Sequence, residues 1–311
     1  MSVSVSPLAP PARPGIPWRS LRLAVLGPPA WLQSSGPPAV TAAYASRCEP
    51  VMAGADPERL LHAITSFAPT VTVVFDPACL PADTLRALPG TTLGVLVGGL
   101  PGDPGPALGA AADALDRVLS FRPELTRRTV GSTRVWRAVP PPVADVLFGA
   151  VAPLHDRPRT MTIGRATPHR ERMLLPAMHH HDLLQIVHGV GGVALVELLR
   201  DGDVGVYVPP EAGPGVGAQV GIHLAAGQLL LAHALKPEHG LERGIDYLDF
   251  GSADELVWIL DRLARFPEMH QRIRIRGRLK AEAFRASRLF ARVAHDLLHD
   301  VAAFGAERRT G

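Results

Sequence analysis

From Leu21 onward, short and nearly continuous apolar runs alternate with segments in which apolar residues recur every three or four positions. The runs LRLAVLG (21–27), TVTVVF (70–75), TLGVLVG (92–98), RVLSF (117–121) and TRVWRA (133–138) predict strands. Their lack of polar alternation is the mark of parallel strands covered on both faces. DPERLLHAITSF (56–67) and PADTLRAL (81–88) predict helices between them. Strand and helix in repetition predict an open α/β sheet.

The pattern breaks at VPPPVADVLFGAVAPLHDRPR (139–159), whose three successive prolines fit neither a helix interior nor a central strand. A domain boundary belongs here. The alternation then restarts, with strands expected at TMTIG (160–164), LLQIV (183–187), DVGVYV (203–208), QLLLAHA (228–234) and IDYLDF (245–250). ERMLLPAM and GGVALVELLR fall between them as helices, and another helix is expected from about Val216 to Ala226. Two α/β units of similar size result: residues 18–150 and 151–311, after a Pro-rich tail at 1–17 that reads as disordered.

The end of the chain is helical. SADELVWILDRLARF opens on Ser252 with Glu255 three residues later, a capping box, and sets Leu256, Ile259, Leu260 and Leu263 on one face. Pro267 and Glu268 start a second helix. ASRLFARVAHDLLHDVAAFG forms a third, with Leu289, Val293, Leu297, Val301 and Phe304 as its stripe and Gly305 as its stop.

Composition narrows the classes. At 47% apolar and 20% charged, 311 residues can bury a sizeable core. The net charge of +3 is too mild to imply a nucleic-acid partner. Cys48 and Cys79 form neither a disulfide framework nor a metal spacing, so a reducing compartment is expected. No leader pattern is present at the start. The longest mostly apolar run, 220–235, is interrupted by His223, Gln228 and His233 and is too short to span a bilayer. These features predict a soluble, cytoplasmic protein with no transmembrane segment.

Five stretches carry candidate chemistry. In IGRATPHRER (163–172), Gly164 lets a ligand approach the backbone, and Arg165, Arg170 and Arg172 suit phosphate oxygens; the alternative is a turn with solvated arginines. In IVHGVGGVALVELL (186–199), Gly189, Gly191 and Ala194 match G-x-G-x-x-G/A, with Glu211 some twenty residues on as a ribose acid. That spacing raises an NAD-dependent oxidoreductase as an alternative, although the motif follows the second strand of its unit rather than the first. His188 there either reaches a ligand or stabilises a turn. HHHD (179–182) reads as a solvated helix end, because adjacent histidines do not converge on one ion. QRIRIRGRLK (271–280) reads as a solvated basic helix face. Finally, in YVPPEAGPGVGAQVGIHLAAGQLLL (207–231), Gly213, Gly215 and Gly217 can expose backbone N–H groups to an anion, and Glu211 can accept hydrogen bonds from sugar hydroxyls.

The ordered segments TIGRATPHRERML, HHDLLQIVHGVGGVALVELLRDGDVGVYVPPE, VGIHLAAGQLLLAHAL and HGLERGIDYLDFGSADELVWILDRLARFPEMHQRIRIRGR resemble the donor-binding half of GT-B glycosyltransferases. The branch they are most similar to is that of the spore-maturation-type glycosyltransferases. VWRAVPPPVADVLF (135–148) is similar to the interdomain segment of that family, and the first half fits its N-terminal domain in pattern. The resemblance implies two Rossmann-like domains facing a cleft, with the terminal helices following the second domain. It implies transfer of a sugar from a nucleotide-diphosphate sugar, without a bound metal. The G-R after the first strand corresponds to Gly164 and Arg165, the second diphosphate ligand to Arg170 or Arg172, and the acid of the Pro-Glu loop to Glu211. His188, Gly189, Gly213 and Gly215 are expected near the donor. No motif identifies the acceptor.

One position departs from the family. Many retaining relatives carry E-A-x-A-x-G, whose Glu holds the donor ribose; here the stretch is IHLAAG, with Ile222 in the acid's place. Gln219 and His223 are the nearby candidates to substitute. For an inverting reaction, Asp76 at the end of TVVFD stands where a base would deprotonate the acceptor; alternatively it is a turn residue before Pro77. A descendant that binds a sugar nucleotide or a protein without catalysis is the third functional class.

Overall fold

The computed structural model describes residues 21–52, 54–97, 106–151, 155–187, 192–212, 215–236 and 239–305. The tail expected over 1–17 lies outside the described residues. The first unit runs β1 (Arg22–Gly27), α1 (Pro29–Ser35), β2 (Ala45–Pro50), α2 (Pro57–Phe67), β3 (Val71–Phe75), α3 (Ala82–Ala87), β4 (Thr91–Leu96), α4 (Pro106–Asp113), β5 (Arg117–Ser120), β6 (Thr129–Val130) and β7 (Thr133–Ala138). These strands form one sheet in the order β2-β1-β3-β4-β5-β7-β6, parallel except for the β6–β7 pair. The second unit runs β8 (Thr160–Ile163), α5 (Pro168–His180), β9 (Leu183–Ile186), α6 (Gly192–Arg200), β10 (Val204–Tyr207), α7 (Ala218–Ala225), β11 (Leu229–His233), β12 (Leu248–Phe250), α8 (Ala253–Arg265), α9 (Gln271–Lys280) and α10 (Ala286–Phe304). Its sheet is fully parallel, in the order β12-β11-β10-β8-β9.

Side-chain alternation assigns each sheet face to its helices. In the first sheet, Ala24, Leu26 and Val74 meet Leu60 and Ile64 of α2, Leu85 of α3 and Ala111 of α4. The opposite face, with Leu23, Val25, Val73, Phe75, Leu93 and Val95, packs against Leu289, Phe290, Val293 and Leu297 of α10. The last helix, expected to follow the second unit, therefore closes the core of the first. Phe304, expected on its apolar stripe, is 81% exposed, while Gly305 ends the helix with φ 78°. In the second sheet, α6 and α7 cover one face and α5 and α8 the other. Ser252 caps α8 as its spacing predicts: its Oγ accepts from Glu255 N at 3.1 Å, while the Glu255 carboxylate accepts from Gly251 N at 2.8 Å.

The chain crosses between the units twice, side by side. Val143 N donates to Phe284 O and Ala286 N to Val143 O, each at 2.8 Å. Asp145 accepts from Ser287 N and Oγ and from Arg285 Nη1. Arg285 and Arg278 both reach Glu282 and lie over the Phe148 ring, at 3.8 and 4.9 Å from its centroid. α9 was expected as a solvated basic face. Instead Arg274 is buried, with Nε on Gly227 O at 2.5 Å, and Arg278 Nε holds Gly149 O at 2.8 Å.

Loops that follow the strands of one sheet touch loops that follow the strands of the other. His239, beyond β11, is hydrogen-bonded through Nε2 to the Phe121 carbonyl beyond β5 at 3.0 Å. α1, after β1, approaches α7, after β10. The carboxyl edges of the two sheets thus face one another across a cleft.

Two outcomes follow from this packing. Burying Leu289, Phe290, Val293 and Leu297 contributes about 1.5–3 kcal/mol each, comparable in sum with the whole stability of a domain. A chain ending at residue 285 is therefore expected to lose cooperative unfolding and near-UV circular dichroism signal; a soluble, cooperatively folded product would contradict the role of α10. The second concerns pH. Hydrogen bonds from Arg285, with help from Arg278 and against the effect of burial, lower the Glu282 carboxyl from 4.5 to about 2. Its stabilising contribution is complete above pH 4.5 and is lost as pH falls toward 2. Glu282→Gln is expected to cost about 1–2 kcal/mol at neutral pH. It should also flatten the fall of Tm across that acid window, as read by thermal melts at a series of pH values.

Candidate functional site at the carboxyl edge of the second sheet

β8 is the first strand of its sheet, yet it lies between β9 and β10. The chain leaves it toward β9 on one side and returns to β10 on the other, so the loops after β8 and β10 diverge and leave a crevice at the strands' carboxyl ends. Such a switch point is where open α/β sheets take ligands. The β8 loop begins at Gly164, whose N–H extends the ladder to Ile186 O at 2.9 Å. Gly164 has φ 132°, and a Cβ built on it would lie 2.1 Å from Arg170 Nη1. Glycine is needed there by both conformation and space.

Thr167 then caps α5, accepting from Arg170 N at 3.3 Å, with Pro168 in the first turn. The same hydroxyl donates to Pro210 O at 2.6 Å, and Arg170 Nε donates to Val208 O at 2.9 Å. Two bonds thereby tie the start of α5 to the loop after β10, on which Glu211 sits. Arg170 Nη1 also donates to Arg165 O at 3.0 Å. The Arg170 guanidinium is buried, and burial lowers its pKa from the usual value. Its third nitrogen, Nη2, makes no hydrogen bond among the described residues. Arg165, Arg172 and Glu211 are exposed. On the β10 side, Gly215 N donates to Ala234 O at 3.1 Å, and Gly217 caps α7. The Gln219 side chain folds back over that cap, with Oε1 2.0 Å from where a Gly217 Cβ would stand. Tyr207, whose phenol burial pushes up to about 12, stays neutral beneath the loop.

Gly164, Arg165, Arg170 and Glu211 are therefore gathered at the crevice, with exposed Arg172 farther along α5; Gly215 lies on the β11 side of the β10 loop, and Gln219 at the start of α7. His223 is not: it is fully buried, its ring against Gly205 of β10 and its Nδ1 2.6 Å from Gln228 Oε1. Burial pushes its pKa down to about 4, so it is a neutral core residue. Ile222 is likewise buried, in the cluster under α7. His188, Gly189, Gly191 and Gly213 lie outside the described residues. Ala194, the last member of the dinucleotide motif, sits on α6, which follows β9; β9 is an edge strand and not part of the switch point. Among the described residues no group of three or more His, Cys, Asp or Glu could hold a metal ion.

The structure also brings in two residues that the motifs did not point to. His169, in the first turn of α5, lies 5.6 Å ring to ring from His233 at the end of β11. His233 Nδ1 is held by Phe250 O at 3.0 Å, and burial, then His233 and the two nearby arginines, lower the His169 pKa. A polar residue closing a buried strand, as His233 does, was the available signal.

Across the cleft, Asp76 directly follows β3, at the switch point between β1 and β3 of the first sheet. It has φ 52°, an uncommon conformation for a residue other than glycine. Its carboxylate makes no hydrogen bond among the described residues.

No family model matches the chain, and no curated protein matches it. Solved structures do. Sucrose-phosphate synthase from Thermosynechococcus elongatus superposes with a TM-score of 0.59 at 13% identity, over 91% of this chain and 99% of that one. An alpha-glucosyltransferase crystallised with UDP and a mismatched DNA gives 0.59 at 9%, over 90% and 100%. Anabaena HepE in complex with UDP-glucose gives 0.58 at 9%, over 91% and 100%. The two parallel sheets and C-terminal helices are those of the GT-B glycosyltransferase fold. No helix among the described residues is long and apolar enough to cross a membrane.

The crowding at Gly164 is testable. Gly164→Ala should destabilise by about 1–3 kcal/mol in urea denaturation, because two carbonyls hold the guanidinium that would have to move. Gly215→Ala, whose nearest heavy atom would be 3.5 Å away, should stay within about 0.5 kcal/mol. Equal effects at the two positions would count against the packing described.

Proposed function

We propose that the chain transfers a sugar from a nucleotide-diphosphate sugar to an acceptor. The observation that carries this reading is the junction of Gly164, Arg165, Arg170 and Glu211 at the switch point of the second sheet. The diphosphate would lie over Gly164, taking charge-assisted hydrogen bonds from Arg165 and from Nη2 of Arg170, at the positive end of α5. Glu211 would accept hydrogen bonds from hydroxyls of the transferred sugar. UDP-glucose, present in one matched structure, is a donor of the expected class, and UDP, present in another, is the nucleotide such a donor leaves behind. The ordered segments of the second half support the spore-maturation-type branch as the finer assignment. The reading needs no metal and suits a cytoplasmic enzyme. For an inverting reaction, Asp76 is the base, taking the acceptor's proton from the opposite edge of the cleft.

A second reading draws on Ile222. Where many relatives carry the ribose acid, this chain has a buried aliphatic residue, which suits a descendant that binds a sugar nucleotide or a protein without turnover. An NAD-dependent oxidoreductase is disfavoured by the edge position of β9.

Thermal shift with UDP-, GDP- and dTDP-sugars beside NAD(P), followed by donor-hydrolysis and transfer assays, separates these readings. Stabilisation by a nucleotide sugar is expected, undiminished by EDTA. Arg165→Gln is expected to weaken binding about 10- to 100-fold. Glu211→Gln should reduce turnover more than nucleotide binding. Stabilisation by NAD(P) alone would overturn the transferase reading, and nucleotide-sugar binding with no hydrolysis or transfer would establish the second.

A further inference from the structure

α9 is built inside out. Its inward face carries Arg274, buried against Gly227 O, and Gly277, where a Cβ would stand 2.4 Å from Asp246 O. Its outward face carries Ile275, 42% exposed, and Leu279, 66% exposed. Packing within the chain accounts for the arginine inside but not for the aliphatic residues outside. The outward stripe continues toward the N-terminus at a helical spacing of three to four residues: Met269, Arg272, Ile275 with Arg276, Leu279. It adjoins Phe266 and Trp258, which are 55% and 57% exposed. Arg262 links the two parts, with its guanidinium 4.9 Å over the Trp258 ring and its Nη2 3.6 Å from Met269 Sδ.

We propose that this face docks the protein on an anionic phospholipid bilayer. Arginines interleaved with exposed aliphatic and aromatic tips on one helical surface match the two layers of a lipid interface. The tips enter the headgroup–acyl boundary and the guanidinium groups meet phosphates. Arg262, Arg265, Arg272 and Arg276 are exposed here, against Asp261 and Glu268. Arg276 keeps a 3.6 Å ion pair with the buried Asp246 while its own side chain is 57% exposed. The charge argues against a second copy of the chain as occupant, since like-charged stripes would meet. The attachment is peripheral. It is independent of the proposed sugar transfer, because none of these residues lies at the carboxyl edge of the second sheet.

The test is co-sedimentation of the intact chain with vesicles of phosphatidylglycerol and phosphatidylcholine in equal parts, beside pure phosphatidylcholine. Binding to the anionic vesicles is expected, weakened by raising salt to about 0.5 M. Ile275→Ser with Leu279→Ser, and separately Arg265→Gln with Arg272→Gln, should each lower partitioning on the order of tenfold. All four side chains are on the surface, so Tm should hold in both variants. The proposal is overturned if the anionic vesicles bring down no protein at low salt, or if both double variants bind like the parent. It is equally overturned if light scattering shows a dimer that Leu279→Ser dissolves while vesicle binding is absent. Binding to polyglutamate that exceeds vesicle binding and ignores the Ile275 and Leu279 substitutions would assign the face to an acidic protein instead.

Discussion

A parallel sheet has to be covered on both faces, and helices from the first half of the chain cover mainly one face of the first sheet. α2, α3 and α4 pack on the side of Ala24, Leu26 and Val74. The side of Val25, Val73 and Phe75 is closed by α10, from the far end of the sequence. This requirement explains why the chain must cross back after its second unit. It also explains why the two crossings run together, with Val143 bonded to both Phe284 and Ala286. Asp145 and Ser287 fasten that pair. The relative placement of the sheets, carboxyl edge to carboxyl edge, is a consequence of how the first sheet is completed.

Within the second unit, one side chain, Arg170, sets the shape of the crevice. Its Nε and Nη1 are spent on the carbonyls of Val208 and Arg165, one on each loop of the crevice. Those bonds offset the cost of burying a guanidinium. They also hold Nη2 in a fixed direction, so a ligand meeting it would order little further. A lysine would satisfy the two carbonyls less well, lacking the planar fork. Arg165 is exposed and has no such restraint; any contact it makes orders a free side chain at entropic cost.

What the sequence revealed, and what it hid, follows from where each residue's partners lie. The central strands were legible because burial on both faces leaves continuous apolar runs, as in VTVVF of β3. β2 was not, because it is an edge strand whose ASRCEP carries a polar pattern. α1 was hidden behind its prolines, which begin the helix at Pro29 rather than forbid it. The Gly164 loop was legible as a candidate because its features are local: a glycine, a cap and arginines within a few residues. His223 was misjudged because its environment is set by Gly205 on β10 and by Gln228, and the glycine's missing side chain makes room for the ring. The arginines of α9 looked solvated because the carbonyls that hold Arg274 and Arg278, on Gly227 and Gly149, lie far away in sequence.

Those same arginines decide where the two units can move. Gly149 is bound from both sides, by Arg278 Nε at its carbonyl and by Ala225 O at its N–H, so the end of the first crossing belongs to the second unit. α10 belongs to the first unit, and Ser287 at its start is clamped to Asp145. The segments left between these anchors are short: residues 139–144 on the outward path and 284–286 on the return. The outward one holds Pro140, Pro141 and Pro142, each of which fixes φ. Rotation of one unit against the other has few backbone angles to use, and it must break or carry along the Val143 bridge. The His239–Phe121 contact across the cleft would have to open as well. A small set of allowed rotations would keep Asp76 on one edge and Arg170 on the other at a reproducible distance, as the proposed transfer requires.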